Sequence, residues 1–120
     1  MMAPDGAYFK LSGFLVEEPP MDKRVSKEFY VKILPITLGR VESSKPDFLC
    51  LDEFDSTLSR QHMKISYDGT NFIATCLSKN GIIVDKARVE KDGIAVLHDG
   101  SAIKLGKLRL YFITPSNFTI

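Results

Sequence analysis

The chain has 120 residues and 44% hydrophobic content, enough to bury one core without disulfides or metal. Its 16 basic and 15 acidic residues leave a formal charge of +1. That balance excludes a diffuse positive coat for gripping DNA or an anionic membrane, so any anion site must be local, and direct nucleic-acid binding is not expected.

The first residues, Met1 to Asp5, read as a frayed end, and Met1 to Gly6 lacks the basic segment and apolar core of a secretory signal. Strand signals then run through the chain: Ala7 to Leu11, Phe29 to Leu34, Ile36 to Leu38, Phe48 to Leu51, Met63 to Tyr67, Phe72 to Leu77, Ile82 to Val84, Ile94 to Leu97, Ala102 to Leu105 and Leu108 to Ile113. These runs are short and rich in β-branched and aromatic residues, and several alternate with period two. The pairs Asp68-Gly69, Asn80-Gly81, Asp92-Gly93 and Asp99-Gly100 separate them as turns, and such close spacing implies a β-sandwich or barrel. Val16 to Lys27, polar and carrying Pro19-Pro20, reads as a long surface loop. Pro35, Pro46 and Pro115 interrupt the candidate helical windows, so helix content should be very low. Ser116 to Ile120 reads as the cut end of a longer protein.

Cys50 and Cys76 are too few for a disulfide framework and read as reduced strand residues. With His62 and His98 they lack the close paired spacing of a zinc site, so no metal is expected. Asn117-Phe118-Thr119 fits a glycosylation sequon, but without a secretory signal it is not expected to be used. Apolar runs such as Gly81-Ile82-Ile83-Val84 are too short to span a bilayer, and the chain reads as soluble and intracellular, without membrane contact. The stretch Gly100 to Lys107 fails as a nucleotide-binding loop in its glycine spacing, and Leu108 stands where a magnesium-binding hydroxyl is needed. No cofactor is expected.

Three segments at strand ends carry the chemistry: Leu38-Gly39-Arg40, Leu58-Ser59-Arg60-Gln61-His62 and Ser78-Lys79-Asn80-Gly81. Together they offer cations, a hydroxyl and an amide on loops of one small domain, a donor set for a phosphate carried on a peptide. The planar, permanently charged fork of Arg40 suits phosphate oxygens, and Gly39 allows a tight path into the loop; the plainer alternative is a solvated strand-end arginine. Ser59 and a backbone N–H of its turn could cap the same oxygens beside Arg60. His62 three residues from Ser59, with no acid behind it, does not make a nucleophile and base, and reads as a histidine that rigidifies the loop. Asn80-Gly81 reads first as a hairpin turn. The amide of Asn80 can still pair with an extended ligand backbone while Lys79 adds charge.

In this order the segments resemble the forkhead-associated (FHA) domain, whose pattern runs Gly-Arg, Ser-Arg-x-His, Asn-Gly and a late element matched here by Leu97-His98-Asp99-Gly100-Ser101-Ala102-Ile103-Lys104-Leu105-Gly106. The form Leu77-Ser78-Lys79-Asn80-Gly81-Ile82 is similar to the subtype of forkhead-type transcription factors and plant nuclear FHA proteins. The resemblance implies an all-β sandwich of the SMAD/FHA-like kind, with about eleven mostly antiparallel strands and binding loops at one end. It implies a single domain over residues 1–120, with its core at about 7–114 and flexible ends at 1–5 and 116–120. It implies a non-enzymatic module that recognises phosphothreonine in a partner protein, within a nuclear signalling or transcription-related protein. Arg40 and Ser59 would contact the phosphate with Arg60 and Lys79 in support, Asn80 would hold the peptide backbone, and Gly39, His62 and Gly81 would shape the loops. Ile82 departs from the family by standing where a threonine is common after Gly81, and Asp85-Lys86 by replacing a later Asn-Gly. Both changes are expected to alter sequence preference rather than phosphate chemistry. The alternative is phosphate-independent interaction, or nucleic-acid association, through the same loops or another sheet face.

Overall fold

A computed structural model describes residues 9–15, 27–31, 33–41, 45, 47–51, 57–106 and 108–114. The expected loop between Val16 and Lys27 falls outside the described residues except at Lys27, as do both expected flexible ends.

The strands are β1 (Phe9–Leu15), β2 (Lys27–Val31), β3 (Ile36–Gly39), β4 (Phe48–Cys50), β5 (Met63–Tyr67), β6 (Phe72–Cys76), β7 (Ile82–Val84), β8 (Ala87–Val89), β9 (Ile94–Leu97), β10 (Ser101–Leu105) and β11 (Leu108–Ile113). They form two sheets, one in the order β2-β1-β11-β10-β7-β8 and one in the order β4-β3-β5-β6-β9. All the neighbours pair antiparallel except β3 and β4, where Leu38 stands beside Leu49 in parallel register. The described residues contain no helix.

Alternation explains why these short runs settle as sandwich strands. In β6 the side chains of Phe72, Ala74 and Cys76 are buried, and in β11 those of Leu108, Leu110 and Phe112, while the residues between them are only partly covered. Each sheet therefore offers one apolar face, and the two faces close on each other. The core holds Leu38, Met63 and Ile65 from one sheet and Ile82, Ile103, Leu105 and Leu110 from the other, each almost fully buried. Burial of such a side chain contributes about 1.5–3 kcal/mol. The rings of Phe72 and Phe112 tie the sheets together, with centroids 5.3 Å apart, and Tyr67 stacks on Phe72 at 4.6 Å.

The turn pairs divide into two kinds. Asp68-Gly69 closes a true hairpin between β5 and β6, where the N–H groups of Asn71 and Thr70 bond the Asp68 carboxylate and hold its pKa below the ordinary value. Asn80-Gly81, Asp92-Gly93 and Asp99-Gly100 instead carry the chain from one sheet to the other. The hairpin reading of Asn80-Gly81 is corrected accordingly: its flanking strands β6 and β7 lie in different sheets, and only Gly81 takes a positive φ, of 75°.

The sequence reading also missed β8, which pairs with β7 through Ile82 opposite Val89 and Ile83 opposite Arg88. The connection is the dipeptide Asp85-Lys86, both left-handed with φ of 49° and 74°. Glycine or asparagine usually fills such a turn, which is why the signal was hidden. Asp85 is held there by its side chain, which accepts from the Ser101 hydroxyl at 2.8 Å and the Ala102 N–H at 3.0 Å. Further boundary differences are that β1 runs on to Leu15 and that β2 begins at Lys27 and ends at Val31.

Lys86 takes a left-handed backbone and, among the described residues, its side chain makes no hydrogen bond or ion pair that offsets the cost, about 1–2 kcal/mol for a residue with a Cβ. Lys86→Gly should relieve that strain, less the extra chain entropy of glycine. A gain of up to about 1 kcal/mol in unfolding free energy is expected by urea denaturation, and a loss would show the turn to be unstrained.

Candidate functional site

The ends of β3, β6 and β10 and the starts of β5, β7 and β11 lie at one end of the sandwich. Two loops meet there through a close backbone approach. The Leu38 carbonyl accepts from the His62 N–H at 2.8 Å, and the Ser59 carbonyl accepts from the Arg40 N–H at 3.3 Å. A Cβ on Gly39 would collide with the Arg60 carbonyl oxygen and sit 2.8 Å from its carbon. Glycine is thus required at position 39 by the neighbouring loop.

His62 ties this pair of loops to a third. It is buried, its Nδ1 accepts from the Ser59 N–H at 3.1 Å, and Nε2 lies 3.2 Å from the Gly81 carbonyl. Because Nδ1 accepts, the ring proton sits on Nε2 and is donated to Gly81. Both ring nitrogens thus bond main-chain groups.

Ser78 is the hub of the third loop. Its hydroxyl accepts from the Asn80 N–H at 3.0 Å and lies 2.6 Å from the Ser59 hydroxyl. Its carbonyl accepts from the Gly81 N–H at 3.1 Å, closing a turn over Lys79 and Asn80 with Gly81 in the fourth place. Ser78 is buried, and its hydroxyl is satisfied by the Asn80 N–H and by the Ser59 hydroxyl, either of the two hydroxyls being able to donate to the other.

Four side chains stand on this scaffold facing solvent: Arg40, Arg60, Lys79 and Asn80 are all exposed, and Ser59 is half-buried between them. Among the described residues none of those four side chains is engaged in a hydrogen bond or ion pair. The result is a set of cations and donors on joined loops, with no pair among the described residues to be broken before they meet an anion. Of the residues singled out from sequence, Gly39, Ser59, His62 and Gly81 are joined by direct contacts, and Arg40, Arg60, Lys79 and Asn80 are carried on the same joined loops.

The sequence reading gave no role to Ser78 or Arg88. Arg88, on β8, donates to the Asn80 carbonyl at 3.3 Å and lies over Gly81, where a Cβ would stand 3.0 Å from its guanidinium. The Glu90 carboxylate bonds Arg88 Nε at 2.6 Å and raises its pKa above the ordinary value. The signal for Arg88 was the pair of short β-branched runs Ile82-Ile83-Val84 and Ala87-Arg88-Val89 on either side of a two-residue connection. Ser78 also accounts for one departure from the family pattern, since its hydroxyl steadies the Asn80 turn while Ile82 goes into the core.

Among the described residues no group of three or more His, Cys, Asp or Glu side chains could hold a metal, and Cys50 and Cys76 are free thiols.

A family model described as the FHA domain matches residues 36–106, more than half of the chain. The chain belongs to the FHA domain family. It is 33% identical over 93 residues to the pre-rRNA-processing protein FHL1 of Saccharomyces cerevisiae, covering 72% of this chain and 10% of that protein. The chain thus spans about a tenth of the length of this relative. Among solved structures, Mycobacterium tuberculosis EmbR in complex with a low-affinity phosphopeptide superposes with a TM-score of 0.69 at 21% identity, over 95% of this chain and 26% of that one. The FHA domain of an Arabidopsis thaliana hypothetical protein gives 0.62 at 22% identity, over 92% of this chain and 90% of that one. These structures share the fold, an all-β sandwich.

Two substitutions test the scaffold by chemical denaturation. Gly39→Ala should overpack the loop contact and cost about 1–3 kcal/mol of stability. Ser78→Ala should cost about 1–2 kcal/mol by orphaning the Asn80 N–H and the Ser59 hydroxyl, and wild-type stability in either variant would contradict the geometry described.

Proposed function

We propose that residues 1–120 form one phosphothreonine-recognition module that joins its parent protein to a phosphorylated partner. The observation that carries this reading is the placement of Arg40 beside Ser59, fixed by the Arg40 N–H to Ser59 carbonyl bond, with cationic side chains that have no acidic partner among the described residues on the loops that carry the Ser59 hydroxyl. A phosphothreonine carries about −1.5 to −2 charges and three acceptor oxygens at neutral pH, the complement of that donor set. Arg40 and Ser59 would take the phosphate, Arg60 and Lys79 would add charge, and the Asn80 side chain would pair with the peptide main chain. The phosphopeptide bound to EmbR supports the same class of ligand here.

The module acts by binding, without catalysis. His62 is committed to Ser59 and Gly81 main-chain groups, so it does not serve the Ser59 hydroxyl as a general base. A nuclear setting, in signalling or transcription-related regulation, is supported by the yeast relative named for pre-rRNA processing.

Fluorescence anisotropy with a degenerate phosphothreonine pool, matched phosphoserine and unphosphorylated pools, and an Arg40→Ala control tests this reading. Only the phosphothreonine pool should bind, and the variant should lose about 2 kcal/mol, near thirtyfold in Kd. Equal binding of all pools would sink the phosphate reading and favour phosphate-independent association through another face.

A further inference from the structure

Among the described strands each sheet ends in two that pair on one side only, β2 and β8 in one sheet and β4 and β9 in the other. Such an edge offers free N–H and C=O groups to any extended chain, and charged residues or proline commonly guard it. Three of the four edges are guarded in this way: β2 carries Lys27 and Glu28, β8 carries Arg88, and β4 follows Pro46-Asp47. The fourth, β9, reads Ile94-Ala95-Val96-Leu97 and has no guard.

In β9, Ala95 and Leu97 stand beside the buried Ala74 and Phe72 and pack against the core, so Ile94 and Val96 point to the outer face beside Thr75 and Ile73. Ile94 is 64% exposed and Val96 41%, and they are the two large apolar side chains exposed among the described residues. Solvent therefore meets apolar side chains and unpaired backbone on the same short strand. Lys91 and Asp92 precede it and His98 and Asp99 follow it, all four exposed.

We infer that β9 is a self-association edge, to which a second copy of this chain adds its own β9 antiparallel, about a two-fold axis through Ala95. The strand is complementary to itself. Because Ile94 and Val96 lie two residues apart on one face, this register sets each Ile94 against Val96 of the second copy. The outer face then carries two apolar rows across the joint, each running through Ile73 and Val96 to Ile94 and Thr75 of the second copy. Antiparallel pairing also sets the start of one strand beside the end of the other. Lys91 therefore comes beside Asp99, and Asp92 beside His98, of the second copy, twice over. One ladder of four-residue strands buries far less than a permanent dimer requires, so the association is weak, with a Kd on the order of 100 µM. Ile94 stands beside Thr75 near the end of β6, so β9 starts at the loop end of the sandwich, and the two loop ends of the dimer point in opposite directions. The inference does not rest on the phosphothreonine reading, and its test uses no ligand.

Sedimentation velocity of the chain, from about 10 µM to about 1 mM, tests this edge. The weight-average mass should rise with concentration toward twice the monomer value. Ile94→Lys and Val96→Lys each place a charge on the exposed face of the strand, and each should abolish the rise. Their thermal midpoints in dilute solution should stay at the wild-type value, which separates a lost joint from a lost fold. Lys91→Glu should weaken association about fivefold, and added salt should weaken the wild type, as exposed ion pairs do. Register is read by Ala95→Cys: on the two-fold axis the two cysteines face each other, and oxidation should join residue 95 to itself, whereas Ile94→Cys should not link. A chain that stays monomeric at every concentration would overturn the inference and leave the edge to a strand of another protein. A dimer that survives Val96→Lys, or that does not link through residue 95, would place the joint elsewhere and overturn it too.

Discussion

The approach of the Arg60 carbonyl to Gly39 brings two backbones closer than any residue with a Cβ would allow. Much of the loop end depends on that contact. It sets the 59–62 segment against the end of β3, so that Arg40 and Ser59 become neighbours although they are far apart in sequence. From there His62 reaches Gly81, and Ser59 reaches Ser78, so a third loop is fixed to the first two. The exposed donors are thus held by main-chain geometry and by two buried polar side chains, His62 and Ser78, and they need no contact with one another. A candidate site assembled in this way is preorganised, because the ordering of these loops is completed in folding.

Most of the sandwich was legible because its inner faces obey period two. Phe72, Ala74 and Cys76 in one strand and Leu108, Leu110 and Phe112 in another announce buried faces in the sequence alone. What periodicity does not carry is the identity of a strand's partner. A turn pair such as Asn80-Gly81 looks the same whether its strands remain in one sheet or divide between two, because the local backbone requirement for positive φ at Gly81 is common to both. The opposite failure occurred at Asp85-Lys86, where a genuine two-residue turn lacks the residues that usually mark one and is held by long-range bonds to Ser101 and Ala102. Local rules found neither case, since in both the deciding contacts lie elsewhere in the chain.

The candidate site was legible for a related reason. Arg40, Ser59, His62 and Asn80 are chemically conspicuous residues at strand ends, and motif order placed them on one family pattern. Ser78 and Arg88 escaped because their contributions are relational. A serine that receives one N–H and orients a second hydroxyl has no sequence signature, and Arg88 acquires its place only once β8 is seen to fold back along β7.

The crossing of the chain between β6 and β7 has a mechanical consequence. Arg40 extends from the five-stranded sheet, whereas Asn80 leads directly into the six-stranded one. A ligand gripped by both would span the seam of the sandwich at the rim where the sheets are joined by loops, as a clasp closes the open edge of a purse. Tension on such a ligand would therefore load the two sheets together rather than one of them.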